Sequence, residues 1–500
     1  MNERACRLPR RGDRLIRLAL AGAVVAAMAG CMVGPDYHSP QPAAPDTWAG
    51  VQPPAAAQVS VVTAQPTALA QWWRQFQDPT LTGLVEDAVR ANLDLQVAVA
   101  RLQQARASRG VVAGGLWPTL SASAGYQYGQ TVQGVRGEES AYQANLGAVW
   151  EVDVFGGVRR NVESASANIQ VALEGLRDTR VSLVAEVALN YLSLRGAQQE
   201  IAVAQKNLLA QQHTAEITRQ KYSVGFVSLL DVANADASAA TTAAQIPGFE
   251  TTARQAIYAL SVLLARPPAA LVVELAPTGL LPSVPAEVPA GLPSDLLRRR
   301  PDIREAEAQL HAATAQIGVA TASLFPQFSL TGSVNWQSTL LHTWWSDISR
   351  SFGVGPSVTW PIFQGGALVA NIRVQEALRD QAFFTYQKTV LAAFQDVESA
   401  LVAFTNEQRH RQALQDAVAA NRKAVDLSTL LYSEGLTDFL NVLVAQTALY
   451  QAENALVQSE QTIATDLVAL YQALGGGWES EPVPPQPPTM PVVPSHGNHG

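Results

Sequence analysis

Hydrophobic and polar positions alternate with a period of two in four segments of the chain. In residues 141–155, for example, Leu146 and Trp150 stand at even positions, whereas Glu151 stands at an odd one. A period of two predicts a β-strand with one apolar face and one polar face. Segments of roughly 10 to 14 residues have the length of tilted transmembrane strands. The four segments are residues 119–130, 141–155, 327–337 and 351–363.

The polar faces of these four predicted strands carry small residues such as Ser, Thr and Asn rather than Lys and Glu. This composition favours a water-filled lumen on that side. Two hairpins packed on a soluble core would show the same alternation. Aromatic residues near the strand ends are typical of the girdles that barrels place at a membrane interface. The predicted interface aromatics are Trp117, Trp150, Trp336 and Trp360.

Four strands from one chain would form an open sheet with two unpaired edges. In hydrocarbon each unsatisfied backbone group costs several kcal/mol, so only closed barrels persist there. Because four strands are too few to enclose a lumen, the remaining strands must come from further copies of the chain. Three copies would supply twelve strands. The sequence pattern does not distinguish a ring of three copies from a ring of four.

Helical segments dominate the rest of the chain. Residues 158–222 and 367–432 lack proline and are rich in Ala, Val, Leu and Gln, so each predicts one helix of about 100 Å. A shorter helix is predicted after each of them, at 228–265 and 439–474. Ala-dense helices pack closely in coiled-coil layers, so three copies would form a helical cylinder that continues the barrel. A free-standing periplasmic coiled coil is the alternative, but it leaves the four strands unexplained.

Three landmarks recur at a nearly constant offset of about 210 residues, which indicates an internal duplication. Each copy would then contain a helix, two strands, a long helix, a tight turn and a shorter helix. The paired landmarks are Trp117 with Phe325, Phe155 with Phe363, and Tyr222 with Tyr432.

The first 30 residues have the pattern of a secretory signal. Arginines precede an apolar run at residues 15–29 that is too short for a permanent membrane helix. Met28-Ala29-Gly30-Cys31 resembles a bacterial lipobox, in which the Cys is lipidated and becomes the first mature residue. The expected modification is an S-diacylglycerol and an N-palmitoyl group on Cys31. Ordinary signal cleavage beside an incidental Cys is the alternative.

These patterns divide the chain into six segments. The predicted segments are a lipoprotein signal peptide at 1–30, a lipid-anchored arm at 31–78, a first repeat at 79–265, a Pro-rich equatorial connector at 266–298, a second repeat at 299–474 and a disordered Pro-rich tail at 475–500.

The charge and the chemistry-bearing residues exclude several classes of function. The formal net charge is −8, and loss of the basic signal would make the mature chain more acidic, which argues against a nucleic-acid partner. The seven His share no ligand spacing, and Cys31 would be the one Cys of the mature chain. We therefore predict no catalytic site, no metal site and no cofactor beyond the covalent lipid, and we interpret the protein as a conduit rather than an enzyme.

Several motifs resemble those of one family, the TolC-like outer-membrane factors of tripartite efflux pumps with transporters of the RND type. The resemblance extends over nearly the whole mature chain and favours the lipoprotein, NodT-like branch. The motifs are Cys-Met-Val-Gly-Pro-Asp-Tyr at 31–37, Trp72-Trp73, Leu-Pro-Ser-Asp-Leu-Leu-Arg-Arg-Arg-Pro-Asp-Ile-Arg at 292–304, Phe325-Pro326 and Ala-Leu-Gly-Gly-Gly-Trp at 473–478.

The resemblance implies an α+β membrane protein. Its homotrimer would form a 12-stranded antiparallel β-barrel, continued by a long α-helical barrel with a mixed equatorial region. The implied location is the outer membrane, lipid-anchored and extending into the periplasm. The implied partners are a periplasmic adaptor, also called a membrane fusion protein, and an inner-membrane RND transporter.

Two Tyr-x-x-Gly turns follow the long helices and predict the tip of the helical barrel. Gly225 and Gly435 would adopt left-handed backbone angles to reverse the chain. In the resembled family such turns dock the adaptor, whereas a plain helix hairpin is the alternative. The docking residues expected on that basis are Tyr222, Gly225, Leu229, Asp231, Tyr432, Gly435, Asp438 and Leu440.

A duct that opens to the outside needs a closure, and the same tip is its expected position. Rings of identical side chains from several copies could form it, with Asp426 supplying an acidic ring and Leu427 or Leu431 an apolar plug.

The leading functional hypothesis is a passive exit duct for an efflux system that exports small toxic compounds. The alternatives are the outlet of a type I protein secretion system, a stand-alone porin and a structural lipoprotein. Long periplasmic helices disfavour the porin, since porins have short periplasmic turns.

Overall fold

The computed structural model describes residues 32–50, 61–63, 69–130, 138–285 and 287–479. The predicted signal peptide, Cys31 and most of the predicted tail lie outside the described residues. The chain divides into two compact units. The sheet unit comprises the described residues of 1–41, 102–172 and 305–386, and the helical unit comprises the remaining described residues.

The described part of the chain is mostly helical. Its strands are β1 (Val61–Thr63), β2 (Thr119–Gln130), β3 (Glu138–Val152), β4 (Glu287–Pro289), β5 (Gln327–Ser338) and β6 (Arg350–Thr359). Its α-helices are α1 (Pro79–Ala91), α2 (Leu93–Gly114), α3 (Gly157–Ser223), α4 (Leu229–Leu263), α5 (Val272–Leu275), α6 (Pro293–Arg299), α7 (Pro301–Ala322), α8 (Ala367–Ser433) and α9 (Phe439–Ala473). Short 3-10 helices lie at Leu69–Phe76, Leu341–Thr343 and Asp347–Ser349.

The sheet unit contains one antiparallel sheet in the order β2-β3-β5-β6. Its register aligns the apolar positions of neighbouring strands, so that Leu146 lies between Ala122 and Val334. One face is therefore apolar along all four strands, as the alternation predicts. Within this sheet β2 and β6 each have one neighbour, and their outer edges are unpaired.

Two strands end earlier than the sequence predicts. The predicted segment 141–155 is β3, which begins at Glu138 and stops at Val152. It stops there because the Asp153 carboxylate turns to the start of α3, where it accepts hydrogen bonds from the backbone N–H groups of Val158 and Arg159 at 3.2 and 2.9 Å. The predicted segment 351–363 is β6, which begins at Arg350 and stops at Thr359. Pro361 follows shortly and has no N–H to extend the ladder.

The helix predicted ahead of the first strand pair is broken at Asn92. The Asn92 side-chain oxygen accepts a hydrogen bond of 3.0 Å from the backbone N–H of Leu95, and its amide donates one of 3.0 Å to the carbonyl oxygen of Leu263. Asn92 thereby ends α1 and caps α2. The two long helices agree closely with the sequence, since α3 and α8 each contain 67 residues.

The Pro-rich connector contains short helices and a short strand, and the start of the predicted tail is ordered. The connector contributes α5, α6 and β4, and β4 pairs in parallel with β1. The predicted disordered tail was placed too early, because Gly475, Gly476 and Gly477 are buried in the helical unit. The core of that unit also contains Trp72, which is 1% exposed.

Candidate functional site

The apolar face of the sheet is open in the single chain. Phe352 and Val354 on β6 are more than three-quarters exposed, and Leu120 on β2 is 71% exposed. Exposed apolar patches of this extent mark a membrane, a partner or a ligand site.

The predicted interface aromatics lie near the two ends of this sheet. At the end where the helices join, the indole N–H of Trp150 donates a hydrogen bond of 3.1 Å to the carbonyl oxygen of Leu116. Trp360 makes the matching bond to Leu324, also at 3.1 Å. Trp117 lies at the same end and is 72% exposed. An indole with a hydrogen-bonded N–H and an otherwise apolar ring suits a membrane interface.

The other predicted aromatic lies near the opposite end of the sheet. Trp336 packs on Trp345 with ring centroids 5.3 Å apart, and Trp345 follows Trp344 in the connection between β5 and β6. Trp344 and Trp345 were not predicted from the sequence, because they lie outside the alternating segments.

The polar face carries short side chains that bond across strands. Asn145 donates a hydrogen bond of 2.6 Å to the side-chain oxygen of Asn335, and the hydroxyls of Ser329 and Ser357 lie 2.7 Å apart. Such side chains leave room and hydrogen-bonding capacity for water on that face.

The turn after each long helix has the same backbone geometry. After α3, Gly225 has φ of +83°, and the Phe226 N–H bonds the Lys221 carbonyl oxygen at 2.9 Å. After α8, Gly435 has φ of +74°, and the Leu436 N–H bonds the Leu431 carbonyl oxygen at 2.8 Å. This is the Schellman motif, in which a left-handed residue closes the helix end. The left-handed angles predicted for the two glycines are confirmed.

The two turns differ in where their tyrosines lie. Tyr432 is 4% exposed and packs in a small core with Phe439, Val442, Ala215 and Ala235. Tyr222, at the matching position, is 44% exposed. The two turns thus share a backbone geometry but differ in the burial of their tyrosines. The repeated motif alone does not reveal this difference.

The other predicted docking residues have unequal environments. Leu229 and Leu440 are exposed at the starts of α4 and α9. Asp231 is engaged in its own helix, because its carboxylate accepts bonds from the backbone N–H and the hydroxyl of Ser228 at 2.9 and 2.7 Å. Asp438 caps α9 without a side-chain hydrogen bond. A groove of about 1180 Å³ lies between the turns.

The predicted gate residues share an exposed face near the end of α8. Asp426, Leu427 and Leu431 are all exposed, and Leu430 is exposed beside them. Leu430 was missed because helix rotation is hard to read in a segment of weak amphipathicity.

Lys221 is a further tip residue that the sequence did not indicate. Its ammonium group donates hydrogen bonds to the carbonyl oxygens of Tyr432 and Ser433 and lies 4.4 Å from the centre of the Tyr432 ring. The end of α3 is thereby tied to the end of α8.

Three of the sequence motifs pack together in the helical unit. Trp72 stacks on Tyr471 at 5.1 Å, and Gly476 lies against Trp72 so closely that a Cβ would meet it at 3.2 Å. Arg300 donates a hydrogen bond to the Ala473 carbonyl oxygen at 3.1 Å. The Trp72-Trp73, 292–304 and 473–478 motifs therefore have a packing role.

The arm motif is fastened to the sheet unit by a buried arginine. The Arg160 guanidinium, 2% exposed, bonds Asp36 at 2.6 Å and Glu163 at 2.8 Å. Glu163 also lies 3.0 Å from the Nε2 atom of His311, whose ring stacks on Tyr37. Burial opposes the ionisation of Glu163, but the hydrogen bonds from His311 and Arg160 outweigh it and lower its pKa.

None of the described helices combines the length and the apolar composition needed to cross a membrane. Within the same residues, no group of three or more His, Cys, Asp and Glu side chains is arranged to hold a metal ion.

Comparison with known proteins decides the family. The model of the family described as outer membrane efflux protein matches residues 84–266 and 292–476. The chain belongs to this family. Nodulation protein T of Rhizobium leguminosarum bv. trifolii is 31% identical over 90% of this chain and 95% of its own length. The probable efflux pump outer membrane protein TtgC of Pseudomonas putida is 33% identical over 90% of this chain and 93% of its own length.

Solved structures agree with this assignment. The outer-membrane channel OprN has a TM-score of 0.82 and 38% identity, covering 90% of this chain and 100% of that one. This outer membrane efflux protein therefore has the fold of outer-membrane channels, and the family resemblance predicted from its motifs is confirmed.

Proposed function

We propose that this outer membrane efflux protein is the exit duct of a tripartite pump for small toxic compounds. Three copies would close a 12-stranded barrel in the outer membrane, and their helices would continue it as a tunnel through the periplasm. The observation that carries the proposal is the four-stranded sheet with an exposed apolar face and two unpaired edges.

The unpaired edges explain why the duct needs several copies. The outer edges of β2 and β6 leave backbone groups without partners in the sheet. In hydrocarbon those groups must be paired, and β6 of one copy can pair with β2 of the next. A ring of three copies is the smallest that could leave an aqueous lumen, with the Asn145–Asn335 face towards water.

The partners and the anchor follow the same proposal. The tip turns, with Phe226 and Leu436 exposed at equivalent positions, would meet a periplasmic adaptor, and an inner-membrane transporter would supply energy. Asp426, Leu427 and Leu431 would close the tip until that assembly opens it. Lipid on Cys31 would hold the start of the arm at the membrane.

Conductance and partner capture test this proposal together. Purified protein in planar bilayers is expected to form channels of small conductance, and Asp426→Ala and Leu427→Ser are expected to enlarge it. Cross-linking in cells is expected to capture a periplasmic adaptor, and deletion of the gene is expected to sensitise cells to toxic compounds. Large conductance in the unaltered protein with no adaptor captured would instead indicate a stand-alone porin.

A protein-secretion outlet is the second candidate, since an opened duct would also serve the export of an unfolded chain. Deletion would then abolish secretion of a polypeptide and leave sensitivity to small compounds unchanged.

A further inference from the structure

The connection between β5 and β6, residues 339–349, forms a compact cap at one end of the sheet. This end is opposite to the one where the helices join the strands, as the pairing of Gln327 with Thr359 at the helix end shows. The cap contains two short 3-10 turns, Leu341–Thr343 and Asp347–Ser349.

The hydroxyl groups of the cap turn inward to its own backbone. Ser346 and Ser349 donate hydrogen bonds of 2.6 and 2.7 Å to the carbonyl oxygen of Thr343. Ser338 accepts one of 3.1 Å from the backbone N–H of Leu340. These bonds supply partners that water would supply in an ordinary exposed loop, so the cap is suited to a place where water is scarce.

The outer surface of the cap is apolar. Ile348 is 97% exposed, Trp345 is 64% exposed and Leu341 is 62% exposed. Asp347 of the cap pairs with Arg350, the first residue of β6, at 3.3 Å. His342 is the other titratable side chain of the cap and is exposed. Hydroxyls inside and large apolar side chains outside reverse the usual distribution of a solvent-exposed loop.

The cap continues the apolar face of the sheet. Trp345 lies on Trp336, and both border a crevice of about 340 Å³ beside Ala122, Ala124 and Ala144. Small alanines on the strands thus leave a depression that the cap only partly covers. The surface of the cap and the lipid-facing side of the proposed barrel are one continuous apolar area.

We propose that the 339–349 cap is a lipid-binding anchor, seated at the boundary between headgroups and acyl chains of the outer leaflet. This inference rests on the proposed barrel. Trp345 and Ile348 enter the acyl region, and the alanine crevice takes an acyl chain. The occupant is lipid because the exposed surface of the cap is dominated by large apolar side chains and continues a face that hydrocarbon would cover.

Site-specific fluorescence in vesicles tests the anchor. The parent protein offers no free thiol if Cys31 is lipidated, so Ile348→Cys introduces a single position for the label. The Ile348 side chain is almost fully exposed, so its replacement should not disturb packing. An environment-sensitive NBD label is attached there, and the protein is placed in phosphatidylcholine vesicles with lipids brominated near the headgroup end of the chains. Val354→Cys on the apolar face of β6 is the membrane control. Val273→Cys in α5, 88% exposed, is the matched exposed control outside the sheet unit.

We expect quenching at position 348 to match that at 354 and to exceed that at 273 several-fold. A second label at Leu341→Cys is expected to behave like 348. Quenching at 354 without quenching at 348 or 341 would overturn the anchor while leaving the barrel intact. A blue-shifted but unquenched label at 348 would also overturn it, since a second copy would then cover the cap. Absence of quenching at all positions would overturn the barrel as well.

Discussion

Arg160 donates a hydrogen bond of 2.6 Å to Asp36, 124 positions earlier in the chain. The same guanidinium donates to the carbonyl oxygen of Val33 at 3.2 Å. Arg160 therefore holds the arm by backbone and side chain at once, only a few residues from the predicted lipid on Cys31.

Replacing Arg160 with Met should release the arm. The variant keeps much of the apolar stem but removes donors to Asp36 and Glu163, and breaking a buried pair of this kind costs about 3–5 kcal/mol at most. Because Asp36 is largely exposed, a smaller loss is expected. Amide hydrogen exchange should rise in residues 32–41. Arg109→Met removes an exposed arginine from the same unit and should leave exchange there unchanged; equal exchange in both variants would contradict the role of Arg160.

Titration of Asp466 should make the free energy of unfolding depend on pH. It borders a cavity of about 510 Å³ in the helical unit, where burial and then the Glu407 charge raise its pKa to about 6. An unfolded Asp titrates near 3.8, so the folded state holds the proton more tightly. Its ionisation therefore destabilises the fold progressively from about pH 4 to pH 6, and the penalty is complete above pH 6.

Asp466→Asn should remove this penalty. The expected gain in the free energy of unfolding rises from about 1 kcal/mol at pH 4.5 to at most about 3 kcal/mol at pH 7.5. Thermal melts of the purified protein at the two pH values measure it. Asp396→Asn is the control, because Asp396 lines the same cavity but bonds Arg300 at 3.0 Å, and its loss should destabilise. A gain that is equal at both pH values would rule out titration of Asp466.

The strands and the helix-ending turns were predictable because each depends on local pattern. Alternation of period two fixes which side of a strand is apolar, and a left-handed position after a helix favours glycine. The break at Asn92 was missed because one of its two side-chain hydrogen bonds goes to the carbonyl oxygen of Leu263, far along the chain. The Arg160–Asp36 pair was missed for the same reason. The burial of Tyr432 against the exposure of Tyr222 depends on packing between helices, which the shared motif does not encode.

The two tip glycines predict a specific cost of substitution. Gly225 has φ of +83°, and a Cβ added there would meet no atom within 4 Å. Gly225→Ala should therefore destabilise by backbone strain alone, by roughly 1–2 kcal/mol.

Gly83→Ala is the control with the opposite sign. Gly83 lies in α1 with equal space and no positive φ, so alanine should stabilise by up to about 1 kcal/mol. Chemical denaturation of both variants measures the difference, and a shared sign would refute the account of the turn.

Under the proposed function, Lys221 should stabilise the closed state of the tip. Its bonds to the carbonyl oxygens of Tyr432 and Ser433 join the ends of α3 and α8, and an iris-like opening would have to break them. A hydrogen bond from a charged donor contributes about 1.5–3 kcal/mol, so Lys221→Met should raise the open fraction roughly tenfold or more. Single-channel recording measures that fraction. Lys206→Met is the control, because Glu453 keeps Arg422 at 2.6 Å as a partner when Lys206 is lost. If both variants conduct like the parent, the tip opens without separating these two helix ends.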